Sequence, residues 1–306
     1  IWLLINLLGL IFYLKDFSKQ SLQKSINLKL VLLAMLSLPS YLNLYYGQIN
    51  LLLLISAGEF IKAISSEKPY KAGAWLGIWL IKPQMLILII PFLILQRSLK
   101  VILGFAIAAI LILTISFGMI QVDGFIALKD LLFEYSTGIP SNSVQVMMNW
   151  RMLGSHLSSF TSPTISLSIT IIGMIFTAII PLLVFRKKID PKSPKYAIAL
   201  TGIIAATCAL TWHAHLHMAI IIIPPILYLL MNKQFNKKLY YAWIFTPVLF
   251  ELIGPALAYF LTLFKFLSMD LFQASDLTRG LPGLILNLIL LSWAIFEYSR
   301  KSETSF

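Results

Sequence analysis

Unbroken apolar runs recur from one end of this chain to the other, and no other feature restricts its fold as tightly. They fall at residues 1–14, 30–46, 49–64, 72–82, 84–96, 101–119, 165–185, 196–211, 214–231, 239–264 and 280–298. In hydrocarbon every backbone N–H and C=O must be satisfied within the protein, so only helices and closed barrels span a bilayer. Barrel strands alternate in polarity and these runs do not. The expectation is an all-α polytopic membrane protein, with residues 1–306 forming one integral membrane domain. Composition agrees: 59% of the residues are hydrophobic and 12% are charged, and the mean hydropathy of +0.87 lies outside the soluble range. The single cysteine, Cys208, excludes an internal disulfide and a thiolate metal cluster.

The net charge of +12 does not mark a nucleic-acid-binding protein, because its distribution is that of a membrane protein. Basic residues cluster at Lys15–Lys29, Lys68–Lys71, Arg97–Lys100, Arg186–Lys195, Lys233–Lys238 and Arg300–Lys301, in short connections between apolar runs. Cytoplasmic loops carry such an excess. If segment 1–14 runs inward, every one of these clusters lands inside. The connections without them land outside: "YYGQIN", "IKPQM", the extracytoplasmic loop 120–164, "TWHAHLH" and 265–279. Of the 24 Lys and Arg residues, only Lys82, Lys129, Arg151, Lys265 and Arg279 fall on the outer side.

Two features break the regular pattern. Segments 72–82 and 84–96 hold eleven and thirteen residues, about 16–20 Å at ~1.5 Å per residue, and neither crosses a ~30 Å core alone. They are expected to form a helical hairpin whose turn, Lys82-Pro83-Gln84, stops within the membrane or in a cavity open to the outside. "GAWLG", Gly73 to Gly77, offers a small-xxx-small face for close packing. Segment 1–14 is short, begins outside and carries no initiator Met, so an upstream helix and its outer loop are expected to precede it.

The outward connections gather the residues able to do chemistry. A lysine near mid-membrane costs on the order of 2.5–3.5 kcal/mol, so Lys82 either lines a cavity and meets an anion or snorkels to the headgroups. Gln48 follows Gly47 between two helices; it either binds a polar ligand or satisfies freed helix-end carbonyls. The loop 120–164 carries apolar Leu131, Leu132, Phe133, Met147, Met148 and Trp150, and is expected to hold an amphipathic element on the membrane. Within it Arg151, with His156 nearby, either forks onto a phosphate or anchors to headgroups beside Trp150. His213, His215 and His217 stand at every second position; on a helix His213 and His217 share a face and His215 lies about 200° away, whereas on an extended stretch all three share one side. They are read as imidazoles facing an anionic group, as interfacial residues beside Trp212, or as metal ligands. No HExxH and no neighbouring carboxylate accompanies them, so no metal and no cofactor is assigned. Asp123, Asp130, Glu134, Asp270 and Asp276 can face outside and Glu251 lies within a helix, none at a spacing that marks a catalytic acid or base. GxGxxG, Walker A and DxD motifs are absent.

The order of motifs carries a resemblance. "YYGQINLLLL" is followed by "KAGAWLGIWLIKPQMLILIIPFLIL", then "NWRMLGSH", then "LTWHAHLHMAIIIIPP". This resembles glycosyltransferase family 87, polyprenyl-phosphate-mannose-dependent mannosyltransferases of the GT-C multi-spanning fold, over roughly residues 1–235. The resemblance implies a GT-C-like bundle, here of about eleven transmembrane or half-membrane helices. It also implies transfer of a sugar from a polyprenyl-phosphate donor to a lipid-linked or glycan acceptor on the outer side of the cell membrane. By that reading Lys82 and Arg151 contact the donor phosphate, with Gln84 beside Lys82. His213 donates a hydrogen bond, Gln48 orients sugar or carrier, and His215, His217 and His156 are further candidates. The general base of GT-C enzymes usually lies in the first outer loop, expected upstream of residue 1, so no catalytic residue is named. A transporter or flippase for an anionic lipid or sugar is the alternative, since broken helices also form transport sites.

Overall fold

The computed structural model describes residues 2–22, 27–137, 144–264 and 270–303; Lys24 and Lys265 lie outside them. The described residues fold into helices throughout: α1 (Trp2–Leu22), α2 (Leu28–Met35), α3 (Leu38–Tyr45), α4 (Asn50–Ser65), α5 (Pro69–Leu76), α6 (Ile89–Leu95), α7 (Leu99–Thr137), α8 (Trp150–Leu157), α9 (Pro163–Val184), α10 (Pro194–Leu210), α11 (Ile223–Met231), α12 (Lys237–Leu263) and α13 (Leu271–Glu303). Among the described residues, four helices are long and apolar enough to cross a membrane singly: α7, α9, α12 and α13. The others are shorter pieces that complete the bundle together.

The run at 30–46 is not one helix. α2 and α3 meet at 58°, because Pro39 supplies no N–H in the first turn of α3 and Ser37 takes an extended backbone before it. The Ala34 carbonyl at this break accepts from Ser37 Oγ at 2.7 Å and Ser40 Oγ at 2.8 Å. Those hydroxyls do the work that water cannot do at this depth.

Within the expected loop 120–164, the described residues include two helical stretches, to Thr137 and from Trp150 to Leu157. α7 continues helical to Thr137 after a break at Gln121, whose φ of 54° and ψ of −164° lie outside the helical region. Val122, Phe125 and Ile126 after the break are exposed, as an element lying on a membrane requires. Further along, α8 packs on α9. Trp150 Nε1 donates to Thr177 Oγ1 at 2.8 Å. α9 turns Ser166, Thr170, Gly173, Thr177 and Pro181 inward and leaves its Ile and Leu residues bare. That small, polar stripe is the packing face; the bare side is the lipid face.

Every residue of α10 from Tyr196 to Leu210 is buried, so this helix is the axis of the bundle. At one of its ends the connections 66–68, 96–98 and 185–193, all in the basic clusters, are locked together. Lys192 Nζ meets Glu67 Oε1 at 2.9 Å. Gln96 Nε2 donates to the Phe185 and Lys187 carbonyls at 2.5 and 3.0 Å, and Gln96 Oε1 accepts from Ile189 N at 2.7 Å. The opposite end holds the polar turns.

Candidate functional site

The hairpin between α5 and α6 leaves this basic end and returns to it, with Lys82 at its turn. Its legs reach the turn by tightening: α5 becomes a 3₁₀ helix at Gly77–Ile81, and a second 3₁₀ helix, Pro83–Leu86, leads toward α6. A 3₁₀ helix rises ~2.0 Å per residue against 1.5 Å, so the leg extends further than its residue count suggests. Close backbone contact with α7 fixes the leg. A Cβ at Gly73 would strike the Val101 carbonyl, and one at Gly77 would stand 2.8 Å from Ala108 Cβ. Trp79 Nε1 ties the leg to α4 through Ser56 Oγ at 3.0 Å.

Lys82 itself sits between the two 3₁₀ helices at φ −136° and ψ 70°. Its N–H donates to the Trp79 carbonyl at 2.9 Å and its carbonyl accepts from Met85 N at 2.9 Å. The side chain is half-buried, and among the described residues its ammonium forms no ion pair. Its charge reaches His215 and His217. Gln84, also half-buried, lies on the same turn.

The histidine stretch forms a ledge that passes into a 3₁₀ helix at Leu216–Ile222. Burial alternates: Ala214 and Leu216 are buried, while His213, His215 and His217 are half-buried. Only part of the stretch is extended: His215 has φ −88° and ψ 158°, whereas His217 stands in the 3₁₀ helix, so the single shared side expected of a fully extended segment is not formed by the backbone alone. His215 pairs with Met147 in an antiparallel bridge, and Met148 N donates to the Ala214 carbonyl at 2.8 Å. The His215 and His217 rings stack with centroids 5.5 Å apart and planes 13° apart. Burial, then the charges of His213 and Lys82, pull the His215 pKa from 6.5 down to about 4. At neutral pH this imidazole is therefore uncharged, a hydrogen-bond donor and acceptor. The positive charge of the site rests with lysine and arginine.

Arg151 is brought to the ledge by Asn149, a residue whose role the sequence did not reveal. Fully buried, Asn149 caps α8 by accepting from Met152 N at 2.9 Å and donates to the Thr211 carbonyl at 2.7 Å. The Arg151 guanidinium then lies 4.3 Å from the centre of the Trp212 ring. Its Nη1 is buried without a hydrogen-bond partner among the described residues. His156, expected near Arg151, faces elsewhere. Five residues along a helix turn it about 140° away, where its Nε2 lies 3.0 Å from the Gln145 carbonyl. Its pKa is lowered by burial, partly offset by that hydrogen bond and by Asp276.

The Gly47-Gln48 turn closes the remaining side. Gly47 takes φ 61°, a value that favours glycine, and Gln48 N donates to the Asn43 carbonyl at 2.9 Å. Asn43 Nδ2 in turn donates to the His217 carbonyl at 2.6 Å. The Gly-Gln turn is thus tied to the ledge through Asn43, and Arg151 stacks on Trp212 at the ledge's start. Among the described residues no three His, Cys, Asp or Glu side chains gather as a metal-binding set.

The family model for glycosyltransferase family 87 matches residues 1–211. The chain belongs to glycosyltransferase family 87. The match takes in the Gly-Gln turn, the Lys82 hairpin, Arg151 and α10, and ends just before the histidine ledge. This family-87 chain is therefore a membrane glycosyltransferase. No curated protein and no solved structure matches it.

Proposed function

We propose that this family-87 chain moves a sugar, mannose, from a polyprenyl-phosphate carrier to a lipid-linked or glycan acceptor, in a GT-C-like site open to the outer side of the cell membrane. The observation that carries the reading is the pair of uncompensated cations at one end of the bundle. The Lys82 ammonium and the Arg151 guanidinium lack anionic partners among the described residues. A desolvated cation is costly to leave unpaired, and a lipid phosphate at membrane depth supplies the missing charge. Orientation follows from the basic clusters gathered at the other end, which the positive-inside rule assigns to the cytoplasm.

In the transfer, the acceptor hydroxyl oxygen forms a bond to the sugar anomeric carbon as the bond from that carbon to the phosphate oxygen breaks. The electron pair leaves with the polyprenyl phosphate, which gains one negative charge, and the hydroxyl proton passes to a base. Lys82 and Arg151 stabilise the growing charge, and a neutral His215 supplies a hydrogen bond without adding a competing cation. Fixed groups aimed at developing charge are commonly the largest catalytic contribution.

The test uses the full chain reconstituted in vesicles with polyprenyl-phosphate mannose. Covalent transfer to an acceptor is expected, and Lys82→Ala should lower it about 10²–10³-fold in a protein that stays folded. Full activity in Lys82→Ala would remove the lysine from the site. Sugar or lipid translocation without covalent product would favour the transporter reading, which the broken hairpin also accommodates.

A further inference from the structure

Asn50 opens α4 two residues after Gln48 and is fully buried, yet neither its amide nitrogen nor its oxygen has a partner among the described residues. Asn43, at the other end of the turn, spends its nitrogen on the Pro39 and His217 carbonyls and keeps its oxygen buried and unpartnered. Buried polar groups are nearly always satisfied, so three such atoms flanking one turn call for a cause. They also lie at the level of the donor phosphate site. From Ser56 up to Asn50, α4 rises about 9 Å. From Trp79, which Ser56 holds at 3.0 Å, the 3₁₀ leg rises about 6 Å to Lys82. Asn50 and Lys82 therefore stand within one helical turn of the same height, and Asn43 is bonded to the ledge at the His217 carbonyl.

We infer that Asn50, together with Asn43 Oδ1, forms the subsite that reads the hydroxyl groups of the transferred sugar; this rests on the donor reading above. The division of labour is chemical. Lys82 and Arg151 carry charge and suit a phosphate. An uncharged amide offers two N–H donors and an acceptor oxygen, and suits adjacent hydroxyls that each give and take a hydrogen bond. A hexose attached to a phosphate at Lys82 presents such hydroxyls within a few ångströms of it. The Asn50 side chain makes no hydrogen bond among the described residues, so its replacement removes none of those.

The full chain in lipid nanodiscs provides the test, with binding of polyprenyl-phosphate mannose and of polyprenyl phosphate alone measured for wild type, Asn50→Leu and Asn50→Ser. Both variants are expected to melt at or above the wild-type temperature and to bind the bare carrier as wild type does. Each should lose about tenfold or more in affinity for the sugar-bearing donor, the scale of a lost hydrogen bond. Unchanged preference for the sugar-bearing donor, or equal loss for both ligands, would overturn the subsite. So would lower melting temperatures with the preference intact, which would make Asn50 a packing residue. Wild type that binds neither ligand would overturn the donor reading, and this inference with it.

Discussion

Arg151 and Lys82 are both cations, but the structure uses them differently. Arg151 spreads its planar guanidinium over the Trp212 ring, a geometry that lysine cannot copy. Arg151→Lys should therefore lower transfer by about tenfold or more while keeping the charge, whereas equal activity would show that charge alone matters there. His215 gives a second prediction at this scale. Its pKa lies at about 4 in the folded chain against ~6.5 unfolded, so the unfolded state binds more protons between those values. Folding stability is then intact above about pH 6.5 and falls as pH drops toward 4. His215→Gln should flatten that acid limb in thermal melts; an unaltered limb would count against the buried neutral imidazole. Lys82, Gln48, Arg151 and the three histidines were legible because each interrupts apolar sequence. Asn43, Asn50 and Asn149 were not, since an asparagine in or beside an apolar run resembles any helix-end amide. The one available signal for Asn50 was its place two residues after Gly-Gln. His156 stands on α8 with Arg151, but five residues along the helix turn it to another face, where its Nε2 lies 3.0 Å from the Gln145 carbonyl.

Elements are held to this geometry by a few polar and glycine contacts. Gln96 alone satisfies two carbonyls and one N–H of the 185–189 connection. Gln96→Leu would strand all three, at on the order of 3 kcal/mol, and should lower the melting temperature by several degrees. Gly73 lets α5 touch the α7 backbone, so Gly73→Leu should reduce stability and transfer together; Lys82→Ala, by contrast, should reduce transfer alone. Wild-type melting in Gly73→Leu would mean that the leg is not seated through this contact. The hairpin turn and most helix positions could be read from apolar run lengths and basic clusters, whereas α1 runs on to Leu22 and α13 begins at Leu271, inside the expected connection 265–279. The 58° bend, the break at Gln121 and the continuation of α7 to Thr137 could not. Each depends on which neighbour satisfies a freed backbone group, and hydropathy does not record that.

At the scale of the whole molecule, two sortings define the account. Apolar side chains left bare on α7, α9 and α12 mark the surface that lipid covers. Along the bundle axis, basic connections collect at one end and the Lys82 turn, Gly-Gln turn and histidine ledge at the other. Both sortings follow from general membrane physics. The bond between Asn43, beside the Gly-Gln turn, and His217 on the ledge is a tertiary event that hydropathy does not record. The most direct test is chemical replacement of the Lys82 charge from one side of the membrane. Cys208 is the sole cysteine and is buried, so Cys208→Ala provides a silent background. In that background Lys82→Cys should be nearly inactive in sealed right-side-out vesicles supplied with polyprenyl-phosphate mannose. Adding an aminoethylating thiol reagent outside, with a thiol scavenger inside, should restore much of the transfer, and bound donor should slow the modification. Absence of rescue, or rescue only when the reagent is admitted to the cytoplasmic side, would contradict an outward-facing cation at the centre of the site.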